Sequence, residues 1–321
     1  MSEFEEGSKA LAATMNAGEK LIDVIDKATS GMLKPRQMIR KAKAAAKVID
    51  IISEAHQKHP EIVFTYKSDE IDISTELASV SYRAANRLAL TEVIKQVNIE
   101  NVINLSYDEL KNENINTVDE IDKDWILRFF NSIENVSDEN MQILWAKILS
   151  GKIKTPRQYS FRTIDILSNL SKEDCEFIEF VSQFTISSNN DLLIYNNDEL
   201  LAKNGINFDK LSYLQELNMI HSSLFTSLTI NTEKEKSTIL TTDKHILLSK
   251  KPNTSIDIPV YTFTKSGSEI MKLVKKESNN KFAEEMVKDI CKNNKDISCH
   301  EIIVRLENGQ IQYKTETIFD T

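Results

Sequence analysis

Glu134, Asp138 and Glu139 fall in one short stretch, with Arg128 upstream and Arg162 downstream. Gathered in one open pocket, such carboxylates can take and give protons, so a hydrolytic or nuclease activity would centre on these five residues. The same residues equally make ion pairs and helix caps that knit three helices together, and that plainer reading carries more weight. Arg128, Glu134, Asp138, Glu139 and Arg162 are therefore candidates for an interaction or ion-pair network, and no residue is assigned as catalytic. Cys291, Cys299 and His300 form the one cysteine–histidine cluster. Structural zinc takes about four ligands, and no second pair is present, so neither a metal nor another cofactor is expected. Cys175 follows Glu173 and Asp174 on an apolar face, which suits a core thiol better than a nucleophile. No two glycines come close enough to form a phosphate-binding loop, and no serine sits in a nucleophile elbow. The expected class is non-enzymatic.

The elements that position these groups read as helices. In 321 residues there are only seven Gly and five Pro, which argues for a mainly helical chain with few long loops. Asp138 and Glu139 stand in the first turn of a helix capped by Ser137. Met141, Leu144, Trp145, Ile148 and Leu149 then form an apolar stripe, and Gly151 is expected to end that helix. Thr117 to Glu120 reads as a capping box opening the preceding helix, whose buried side carries Trp125, Phe129 and Ile133. Trp125, Phe129, Met141, Trp145, Gly151 and Pro156 make up the structural signature. The stretch 98–116 is rich in asparagine and is expected to be irregular or a short helix plus loop.

Four regions follow. Residues 1–60 form a basic amphipathic helical hairpin broken near Gly31 and Pro35, and 61–185 an acidic helical bundle. Residues 186–275 form a winged-helix-like domain, with strands over 224–230 and 239–248 around the turn 233–236. Residues 276–321 add a C-terminal helix and a β-hairpin turning at Asn308-Gly309. The fold class is thus mainly α with a smaller α+β part.

Charge is unevenly spread. The net value is −9, yet from Lys34 to Lys47 there are six basic residues and no acidic one. Lys34, Arg36, Arg40, Lys41, Lys43 and Lys47 form a basic face. Such a helix can lie on an anionic membrane surface, so residues 8–56 offer a membrane contact as one alternative. The apolar side is dominated by alanines and lacks bulky aromatic anchors, which favours docking on protein, the chain's own acidic middle or a second copy. The acidic middle repels nucleic acid. A winged-helix DNA regulator over 186–275 is the other alternative, but the helix after Asn207 carries Asp209, Lys210 and Glu216 rather than a basic face. Three cysteines and an acidic N-terminus point to the cytoplasm, with a peripheral place at the inner membrane as a variant.

The segments Trp125 to Phe130, Ser137 to Glu139, Leu144 to Ala146, Ile148-Leu149 with Gly151, and Pro156 followed by Tyr159 to Thr163 resemble a bacterial family. That family is catalogued as domain of unknown function 2806. The sequence departs from its pattern at Arg157-Gln158, where the resemblance implies a glycine. More distantly, Leu144–Leu149, Pro156 and Ile166–Ser171 are similar to an abortive-infection family of phage-defence proteins. The resemblances imply a bacterial interaction protein associated with phage defence or stress, with a protein partner or self-association. They bring no catalytic residues with them.

Overall fold

A computed structural model of the chain describes residues 15–31, 33–37, 63–67, 70–74, 80–115, 119–189, 191–222, 227–274, 276–306 and 310–318. The basic helix expected over 37–56 lies outside them apart from its first residue. The chain forms two compact units, Met1–Ile164 and Asp165–Thr321.

In the first unit, β1 (Met15–Asn16) pairs with β4 (Asn114–Ile115), and β2 (Val63–Lys67) pairs with β3 (Glu70–Ser74). The helices are α1 (Ala17–Thr29), α2 (Val80–Leu110), α3 (Lys123–Ile133) and α4 (Glu139–Lys154), and α5 (Phe161–Ser168) follows. Asn16 caps α1, its side chain accepting from the Gly18 amide at 2.9 Å. Asp122 caps α3 and Asp138 caps α4, one residue after the expected Ser137. The asparagine-rich stretch, expected to be irregular or a short helix plus loop, instead continues the long helix α2 as far as Leu110. Ile99, Val102, Ile103 and Leu110 all turn into the core, and that burial overrides the weak helix propensity of asparagine. The polar groups of α2 are also used. Asn98 donates to the Glu134 carbonyl at 2.9 Å, and Ser106 to the Ala146 carbonyl at 3.2 Å.

The core of this unit is aromatic. Trp125 stacks on Phe129 at 5.3 Å between centroids, and Phe129 meets Trp145 edge-on at 5.4 Å. Gly151 does not end α4; the helix runs on to Lys154. Its role is close approach, since a Cβ there would sit 2.6 Å from the Tyr159 ring. Next to it Lys152 is buried, its Nζ lying 4.7 Å from the centre of the Trp125 ring. The same ammonium donates to the carbonyls of Gln158 at 3.0 Å and Tyr159 at 3.1 Å. The left-handed residue in this loop is Tyr159, at φ 57°, rather than the position of Arg157-Gln158 where the family pattern implies glycine.

The second unit corrects the expected fold class. Instead of a small winged module and a separate hairpin on a mainly helical chain, it holds an eight-stranded antiparallel sheet. Its strands are β5 (Thr185–Ser188), β6 (Asp191–Tyr195), β7 (Ser227–Thr232), β8 (Thr238–Thr241), β9 (His245–Ser249), β10 (Thr254–Thr262), β11 (Ile297–Arg305) and β12 (Ile311–Tyr313). They lie in the order β12-β11-β9-β8-β5-β6-β10-β7. The expected wing strand 239–248 is split by a turn after Thr242, so β8 pairs with β9, while β7 pairs with β10. The tail is joined to the same sheet, because Ile297 to Glu301 of β11 pair with His245 to Ser249 of β9. Every residue of β9 is buried, as suits a strand covered on both faces.

Around this sheet run α6 (Lys172–Ser182), α7 (Asp198–Lys203), α8 (Phe208–Glu216), α9 (Lys265–Val274) and α10 (Asn280–Asn293). Ser171 and Asp174 form a capping box on α6, and the Tyr213 hydroxyl of α8 donates to Asp174. Burial raises the Asp174 pKa, but the bonds from Tyr213 and Ser171 outweigh it and leave the carboxyl below its usual value. At the start of α9, a Cβ on Gly267 would fall 2.0 Å from the Met219 carbonyl oxygen. Thr264 secures the same junction, donating from its hydroxyl to the Asn218 carbonyl at 2.7 Å.

Three outcomes follow for stability. Lys152→Met leaves two loop carbonyls without their donor and should cost about 2 kcal/mol or more in denaturant unfolding, with the m-value unchanged. Gly267→Ala drives a methyl into backbone and should lower the melting temperature more than Gly31→Ala, which meets nothing within 4 Å and carries only the strain of its positive φ of 74°. Tyr213→Phe removes a donor to a carboxylate of depressed pKa. Its destabilisation should be complete above about pH 4 and fade as pH falls through the folded-state value, read from paired melts across pH.

Candidate functional site

The five charged residues singled out in the sequence are placed around the α3–α4 corner and the start of α5. Asp138 accepts from the Met141 amide at 3.0 Å and so acts as a helix cap. Glu134 ends α3 and pairs with Lys95 of α2 at 2.8 Å. Glu139 stands exposed in the first turn of α4, where its charge complements the helix dipole. Arg128 is exposed and lies over the Phe161 ring at 5.8 Å, and Arg162 is exposed one residue further on. The contacts at this corner among the described residues include a cap, an ion pair and a cation–π contact. Lys95 and Phe161 were not among the predicted site residues, although Lys95 lies on the helix facing this corner.

The signature residues Trp125, Phe129 and Trp145 form the buried aromatic cluster, Gly151 abuts Tyr159, and Met141 and Pro156 are half-buried. Of the basic face, Lys34 is exposed and Arg36 pairs with Glu19 at 3.0 Å, both partners also exposed. Arg40, Lys41, Lys43 and Lys47 lie outside the described residues.

The cysteine–histidine cluster is part of the second unit's core. Burial pushes the Cys291 thiol up to about 11 and the Cys299 thiol up to about 12, so neither is a thiolate at neutral pH. His300 sits between the Lys314 carbonyl and the Ser298 hydroxyl, each at 3.0 Å. Among the described residues, no group of three or more His, Cys, Asp or Glu side chains is arranged to hold a metal ion.

Sequence reasoning missed a cleft in the second unit. It encloses about 440 Å³ and is lined by Ser187, Leu192, Thr241, Thr242, Asp243, Lys272 and Arg305. Six elements contribute: β5, β6, β8, the β8–β9 turn, α9 and β11. The turn is built by the Thr242 hydroxyl, which accepts from the His245 amide at 3.0 Å and the Lys244 amide at 3.3 Å. Arg305 donates to the Thr242 carbonyl, and Asp243 accepts from the Ser278 amide at 2.5 Å. Lys272 is exposed in the last turn of α9, and no hydrogen bond or ion pair holds it among the described residues. Two cations face one carboxylate here. The residues are too far apart in sequence to make a motif.

Among the described residues, no helix is long and apolar enough to cross a membrane. No curated protein and no solved structure matches the chain. A family model described as "Protein of unknown function (DUF2806)" matches residues 82–287, from the first turn of α2 into α10. With more than half of its length so matched, the chain belongs to the DUF2806 family of proteins of unknown function.

Proposed function

We propose that this chain is a non-enzymatic bacterial interaction protein, self-associating through its helical unit, with phage defence the process to test first. The observation that carries the reading is the exposed half of α2. This helix has 31 residues, so it is about 46 Å long. Its second half is buried through Ile99, Val102, Ile103 and Leu110, whereas Leu88 is 62% exposed and Ile94 45%. Val93 is also exposed; Leu90, Val93 and Ile94 recur at helical spacing on one side, whereas Leu88, three turns before Ile99, lies on the side that is buried further on. An apolar stripe of this kind marks a contact surface more often than a random scatter of exposed side chains does.

A second copy is the favoured occupant because Leu88 continues the core-facing side of a helix that already packs against α4 and α3 in its own unit, and Leu90, Val93 and Ile94 give the same helix a second apolar side. Engagement of Glu134 by Lys95 and of Asp138 as a cap supports the absence of catalysis at this corner. The charges on α8, Asp209, Lys210 and Glu216, speak against a nucleic-acid partner. Association with phage defence rests on the likeness of Leu144–Leu149, Pro156 and Ile166–Ser171 to abortive-infection proteins.

Light scattering after gel filtration tests the assembly. The full chain should run as an oligomer, and Leu88→Glu with Ile94→Glu should run as a monomer with an unchanged melting temperature, because both side chains lie outside the core. A wild-type monomer at tens of micromolar would sink the self-association. In bacteria challenged with a broad phage panel, the gene should protect and the double variant should not. Equal plaque counts with and without the wild-type gene would remove the defence reading.

A further inference from the structure

We propose that the cleft between β5, the β8–β9 turn, α9 and β11 binds a small organic oxyanion, its charged group held between Lys272 and Arg305. The site belongs to the second unit and does not depend on the self-association reading. Its volume of about 440 Å³ falls in the range of about 300–1,000 Å³ common to small-molecule sites. Leu192 is the one apolar residue in the lining, so an apolar ligand would leave polar groups desolvated without partners.

The charges set the sign of the ligand. Asp243 is already satisfied in part by the Ser278 amide, and Arg305 uses one of its nitrogens on the Thr242 carbonyl. A guanidinium carries five N–H donors in a planar fork, so most of its capacity is left for a second acceptor. Lys272 brings three more donors, unengaged among the described residues. Phosphate and carboxylate are the groups that accept from such a pair in short, charge-assisted bonds.

The hydroxyls fit the rest of such a molecule. Thr241 is only 8% exposed and lines the cleft, and its hydroxyl makes no hydrogen bond among the described residues. The Ser187 hydroxyl is likewise without one. Both residues line the open cleft, where the polar remainder of a ligand can supply a partner to each hydroxyl. Asp243 can accept from a ligand hydroxyl as well.

The plainer role for Lys272 is to complement the C-terminal end of α9, and the experiment separates the two. Thermal shift and calorimetric titration on the full chain use inorganic phosphate, adenosine monophosphate and citrate as probes, with sodium chloride at matched ionic strength as control. At least one probe should raise the melting temperature and the chloride should not. Lys272→Gln should weaken that binding about tenfold or more while leaving the ligand-free melting temperature within a degree or so of wild type. Arg305→Gln should weaken it further, and Lys236→Gln, remote from the cleft, should not change it. Binding of adenosine monophosphate or phosphate but not citrate identifies a phosphate-bearing ligand; citrate alone identifies a carboxylate. No binding by any probe at millimolar concentration, equal stabilisation by chloride, or full affinity in Lys272→Gln would each overturn the proposal.

Discussion

A lysine ammonium inside the helical unit governs how its loops can run. Lys152 has left water for a site between the Trp125 ring and two backbone carbonyls of the following loop. A buried charge is tolerated only where its hydrogen bonds and attractions replace hydration. The loop after α4 must therefore return over that helix with the Gln158 and Tyr159 carbonyls pointing inward. That demand accounts for Tyr159 in the left-handed region, for its ring pressed against Gly151, and for the glycine itself. Lys152 also rests on the ring that stacks with Phe129 and, through it, meets Trp145. One cation thus links the aromatic core to the chain path leading into α5.

The same residues show what sequence conveys and what it does not. Apolar stripes identified α3 and α4 well, because periodicity is local, but the end signals did not: Asp122 caps α3 rather than Thr117, and Asp138 caps α4 rather than Ser137. Gly151 was misread for a physical reason: a glycine near the end of a stripe signals a C-cap, and nothing local announces an incoming tyrosine ring. The asparagine-rich half of α2 was misread because propensity is a weak prior against the burial of Ile99, Val102, Ile103 and Leu110. In the second unit the strand-forming segments were mostly recognisable, but their partners were not. Pairing is set by contacts distant in sequence, and the turn between β8 and β9 is made by Thr242, Asp243 and Lys244 without glycine. One wing with a separate hairpin and one continuous sheet are nearly the same string read locally.

The site was legible to the same degree. The charged corner of α3 and α4 drew notice because its residues are neighbours in the chain, and neighbours are what caps and ion pairs need. The cleft drew none, since Ser187, Thr241, Lys272 and Arg305 are ordinary residues until the sheet brings β5, β8 and β11 beside α9. Polar clefts of that kind are properties of a topology rather than of a motif.

The position of β11 in the strand order bears on synthesis. β9 lies near the middle of the sheet, flanked by β8 and by Ile297 to Glu301 of β11, which emerge from the ribosome some fifty residues later. During that interval the nascent chain carries a strand destined for full burial, apolar at Ile246 to Leu248, with one open edge, the arrangement that invites pairing with other chains. High sequence separation also slows closure once the last strand is available. The helical unit, complete well before, is free to fold first. Crowded translation therefore places its heaviest demand for chaperone protection on this unit, between the release of β9 and the arrival of β11.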